Sequence, residues 1–109
     1  MSMKKIKFKF FERMWEINLV DKLPYCEKNQ FRFGESDMIV GVINVAVKDD
    51  NGLDLPKDVI LMTILHEIFH MILGTGAYHD ANSDEPLVEW MARSMYNLMS
   101  QNLFDKIKL

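Results

Sequence analysis

The sequence predicts a single α+β domain over residues 1–109: a small twisted sheet from the first half, packed on two helices from the second. Three observations carry that expectation. Residues near the start alternate Lys5, Lys7 and Lys9 with Ile6, Phe8 and Phe10, the period-two pattern of a strand with one wet face. The run MIVGVINVAV, Met38 to Val47, is uncharged and rich in β-branched residues, as a well-buried strand is. From Pro56 to Leu73 the apolar residues have no alternation and are bounded by helix punctuation.

Taken in order, the Lys/Phe stretch is followed by Trp15, Ile17 and Leu19 alternating with Glu16 and Asn18. The two stretches suit a hairpin, although Phe11-Glu12-Arg13 lacks the glycine or asparagine of a favoured turn. Residues 22–30 read as a loop, and Phe31 to Ser36 as a short strand before the buried one. KDDNGLDLP then breaks the chain with turn formers. The first helix has Asp54 as its expected cap, Pro56 in its first turn, and Gly74 and Gly76 as its stop. A second helix is expected from Ser83 or Asp84, with Pro86 in its first turn, to about Leu103. Methionines 62, 71, 91, 95 and 99 fall in these helices and read as gap-filling core.

Composition narrows the function. Thirteen basic against sixteen acidic side chains leave a net charge of −3, which disfavours a nucleic-acid partner, since phosphate neutralisation needs a basic excess. The lysines and Arg13 before residue 14 alternate with apolar residues and read as a solvated strand face. Cys26 is the only cysteine, so an intrachain disulfide and the Cys₄ and Cys₂His₂ zinc modules are excluded. The opening MSMKKIKFKFFERMWEI has no uninterrupted apolar core, and no apolar run approaches the ~20 residues of a membrane span. The expectation is a cytoplasmic protein with no membrane partner.

Chemistry concentrates in His66-Glu67-Ile68-Phe69-His70. Between Val59 and Leu73 the only polar side chains are Thr63, His66, Glu67 and His70. At about 100° per residue all four fall within one sector of roughly 100°, and apolar residues fill the rest. Two imidazoles and a carboxylate are an odd choice for wetting a helix. Residues i and i+4 lie one turn apart, with Cβ atoms about 5–6 Å from each other, so both imidazoles can converge on one Zn²⁺. Glu67, on the same flank, can act as general base to the attacking water.

Two histidines leave such a site short of a third protein ligand. The longer pattern HExxHxxGxxH is absent, since Leu73 and Gly76 stand at its glycine and last histidine. Glu89, Glu85 and His79 remain. Glu89 lies on the second helix with the small Ala92 near it, which would let the helices approach. Against it stands an ordinary i,i+4 ion pair with Arg93. Glu85 sits nearer the fraying helix start.

ILHEIFHMIL followed by EPLVEWMARSMYNLM resembles the gluzincin metallopeptidases, and at this size most resembles the minigluzincins of bacterial and phage origin. The resemblance is strongest over residues 56–99, with WEINLVDKLP and FGESDMIVGVINVAV fitting the preceding strands. It implies His66, His70 and Glu89 as ligands of one Zn²⁺ per chain and Glu67 as base. It also implies a latent form in which a C-terminal segment, here about residues 100–109, occupies the cleft. Arg93 departs from the pattern, standing where relatives carry Asn or Asp one turn after the ligand glutamate.

The expected activity is hydrolysis of a peptide or protein substrate. Tyr78, His79 and Tyr96 are candidate donors to the developing oxyanion, and residues 41–47 a candidate edge strand to pair with the peptide. The rival expectation is a non-catalytic zinc-binding regulatory or interaction protein encoded by a phage or other mobile element. Glu67 favours the enzyme, because a structural site has no use for a base.

Overall fold

The computed structural model describes residues 4–23 and 33–107. Four strands, β1 (Lys4–Phe10), β2 (Arg13–Val20), β3 (Gly34–Asp37) and β4 (Val42–Ala46), precede helices α1 (Lys57–Thr75), α2 (His79–Asn82), α3 (Glu85–Met99) and α4 (Leu103–Lys106). The fold is α+β, with one four-stranded sheet in the order β1-β2-β4-β3. β1 and β2 form the expected antiparallel hairpin, with Phe8 opposite Trp15 and Ile6 opposite Ile17. Lacking a turn glycine, the chain reverses with Phe11 at φ 55°, a left-handed conformation costing an L-residue roughly 1–2 kcal/mol. Its ring packs edge-on to Phe10 at 4.8 Å. β2 then pairs in parallel with β4, and β3 pairs antiparallel with β4.

The apolar run 38–47 is not one strand. Residues 38–41 make a tight turn: Gly41 N donates to Asp37 O at 2.9 Å, Asp37 Oδ1 accepts from the amides of Ile39 and Val40, and Gly41 takes φ 75°. Ile39 is 90% exposed at its tip. β4 lies between β2 and β3, so residues 42–46 are interior to the sheet, and among the described residues the sheet's edges are β1 and β3. Cys26 and the expected start of β3 at Phe31 lie outside the described residues.

The core lies between the sheet and α1. Trp15, Ile17, Ile43, Val45 and Met71 are buried, with Phe8, Phe10, Leu19, Ile60, Ile64 and Ile68 packed around them. Val88 and Ala92 of α3 are wholly buried, and α3 packs along α1, so the small Ala92 does permit close approach. Met99 is exposed, so not every helical methionine fills the core.

Helix ends differ from the expectations in physically simple ways. Asp54 is bound to Lys48 at 2.7 Å and does not cap α1, which begins after Pro56 without a side-chain cap. α1 continues through Gly74, and Ala77 takes the left-handed φ of 63° beyond its end. α3 starts where expected, with Asp84 Oδ1 accepting from Leu87 N at 3.2 Å. It ends at Met99, and Asn102 at φ 52° separates it from α4. By length and composition α1 is apolar enough to cross a membrane, although it is packed between sheet and α3 and carries the polar sector described next.

Candidate metal centre

The single turn between His66 and His70 brings their imidazoles together. The ring centroids are 4.9 Å apart and the two Nε2 atoms 3.2 Å apart. Two nitrogens at about 2.05 Å from one tetrahedral zinc stand about 3.3 Å apart, so the pair is already at ligand spacing. Glu85, the first residue of α3, closes the group. Its Oε2 is 3.0 Å from His66 Nε2 and its Oε1 is 2.9 Å from His70 Nε2. Donor atoms of His66, His70 and Glu85 all lie within 4.8 Å of one another, so this group could hold a metal ion.

Glu89 stands outside that group, with Oε2 3.8 Å from His66 Nδ1, the ring nitrogen on the far side from Glu85. The structure therefore brings Glu85, rather than Glu89, to the two Nε2 atoms. The physical reason is the first turn of α3. Asp84 caps it, and α2, a four-residue helix without periodic signal, delivers it against α1. The helix start that sequence alone marks as fraying is fixed. Among the described residues no Glu89–Arg93 ion pair forms.

Glu67 is 7% exposed, almost buried between α1 and β3. Burial raises its carboxyl above the ordinary glutamate range. The charges of His66 and His70 and a hydrogen bond from Ser36 pull it down, less strongly, and Glu85 adds a further rise. Gly34 makes this proximity possible. A Cβ there would lie 2.8 Å from Thr63 Cγ2 and 3.0 Å from Glu67 Cγ. Gly34→Ala is expected to push β3 off α1 and cost roughly 1–3 kcal/mol, measurable as a lower urea midpoint of the metal-free chain. Unchanged stability would refute that packing.

These residues open into a cleft of about 780 Å³ between β3 and α1, with Ser36, Met38, Met62, Asn82 and Glu89 on its walls. Tyr78, His79 and Tyr96 do not line it. Tyr78 and His79 lie beyond α1's end, where the chain turns away through Ala77, and both side chains are exposed. Tyr96 sits about three turns along α3 from Glu85, out of the cleft's reach. Residues 100–107 do not line it either, and Phe104 is 78% exposed, so the described part of the C-terminal segment leaves the cleft open. Asn82, Ser36 and Gly34 were not legible as site residues. Each acts through tertiary proximity, and only the HExxH spacing marks their neighbours. Comparison with protein-family models, curated proteins and solved structures gives no match to this chain.

Proposed function

We propose that the chain is a zinc-dependent peptidase of the minimal gluzincin kind, with His66, His70 and Glu85 as metal ligands and Glu67 as general base. The observation that carries this reading is the buried carboxylate of Glu67 beside the His66–His70–Glu85 donor group, at the wall of an open cleft. Two imidazoles and one carboxylate with room for a fourth ligand match a catalytic zinc set. When bound, zinc would acidify the attacking water and polarise the scissile carbonyl.

The chain's own residues supply the rest. Glu67 takes the proton from the attacking water and passes it to the leaving amine nitrogen. Ser36, beside the Glu67 carboxyl, favours its charged form. The side of β3 away from β4, unpaired among the described residues, offers backbone groups along the cleft, and an extended peptide lying there gains strand pairing; β3 takes the role expected of residues 41–47. The net charge of −3 supports a peptide rather than a nucleic-acid substrate. In this reading the protein is cytoplasmic and phage-associated. A regulatory zinc protein of a mobile element, the alternative, would leave Glu67 without a task.

Protein purified without added zinc and then titrated with it should bind one equivalent per chain. The loaded chain should cleave a broad peptide pool, lose that activity to a chelator, and regain it with stoichiometric zinc. A chain that takes up no zinc, or a zinc-loaded chain that cleaves nothing in the pool, rejects the reading.

A further inference from the structure

The geometry points to Asn82 as a positioning residue that decides which nitrogen of His70 faces the metal. This rests on the zinc reading above and adds to it a residue outside the ligand set. Asn82 Oδ1 is 2.6 Å from His70 Nδ1. An amide oxygen only accepts hydrogen bonds, so Nδ1 carries a hydrogen, and Nε2 is the nitrogen left to offer a lone pair to a metal. That is the nitrogen 3.2 Å from His66 Nε2 and 2.9 Å from Glu85 Oε1.

The backbone of Asn82 is anchored. Its amide N donates to Tyr78 O at 2.9 Å, closing α2. Its side chain reaches His70 over Gly74, where a Cβ would stand 3.3 Å from Asn82 Nδ2 and collide with Met38. Three residues further on comes Glu85, so one short segment carries both a ligand and the group that aims another ligand. Among the described residues His66 has no equivalent restraint, because Glu89 lies at 3.8 Å, beyond hydrogen-bond range. The two imidazoles are therefore held unequally, His70 firmly and His66 loosely.

A purely structural role, pinning α2 to α1, would lower stability and leave zinc affinity alone. Outer partners of ligand histidines typically contribute 10- to 100-fold in metal affinity. Zinc affinity of the full-length chain is measured by competition with a chromogenic chelator, for wild type, Asn82→Leu and Asn82→Asp. The expected result is a loss of about 10- to 100-fold in Asn82→Leu, with Asn82→Asp, which keeps an acceptor oxygen, close to wild type. Long-range ¹H–¹⁵N correlation on the zinc-loaded wild type provides a reading that needs no variant. His70 should keep its proton on Nδ1 and ligate through Nε2. Equal zinc affinity in wild type and Asn82→Leu, or zinc on Nδ1 of His70, overturns the assignment while the peptidase reading stands. A wild type that binds no zinc overturns both.

Discussion

Glu67→Gln should retain one zinc per chain and lose peptide hydrolysis by about 100- to 10,000-fold, the range a general base contributes. The amide has nearly the same shape and cannot take the water's proton, so the loss belongs in kcat, with KM little changed. The same substitution has an opposite effect on the metal-free chain. Burial raises the Glu67 carboxyl above its unfolded value, so its contribution to stability is fully present in acid and is lost as pH rises through the raised value. Gln carries no such penalty. Metal-free Glu67→Gln should therefore be more stable than wild type at neutral pH, with the difference shrinking on acidification, as read from urea midpoints at pH 7 and pH 4. Unimpaired hydrolysis in the zinc-loaded variant would end the mechanism proposed for Glu67.

Glu85→Ala should empty the metal site, and Glu89→Ala should not. Glu85 meets both Nε2 atoms at 2.9–3.0 Å, whereas Glu89 approaches only His66 Nδ1, at 3.8 Å. Removing Glu89 leaves all three donors and costs at most the 10- to 100-fold of an outer partner. Removing Glu85 leaves two histidines and should cost far more. Metal content after gel filtration at limiting zinc separates the variants. Zinc retained by Glu85→Ala and lost by Glu89→Ala would return the third position to Glu89.

How much of this was legible in the sequence follows from where the information lies. HExxH is local: one helical turn fixes the relation of His66 to His70, so the pair could be read without knowing the fold. The two-stretch hairpin was legible because Lys5 to Phe10 and Trp15 to Leu19 alternate cleanly. The third ligand was not, because α3 offers two carboxylates one turn apart and the sequence does not say which turn meets α1. That choice depends on α2, four residues long, and on the Asp84 cap. The turn at residues 38–41 was hidden in an uncharged run interrupted only by Gly41 and Asn44. The pairing of β3 with β4 likewise depends on that turn, and with it the identity of the edge strand.

β3 is four residues long and, among the described residues, is hydrogen-bonded along one side only, to β4. The wall packed against Glu67 is thus the least anchored part of the sheet. Strands bonded on both sides open only with much of the molecule, whereas a short edge strand can fray on its own at a small fraction of the global free energy. Each such excursion widens the cleft beside Glu67 without disturbing the Trp15–Ile43–Met71 core. The amides of β3 should accordingly exchange on a timescale set by this edge strand rather than by the fold as a whole.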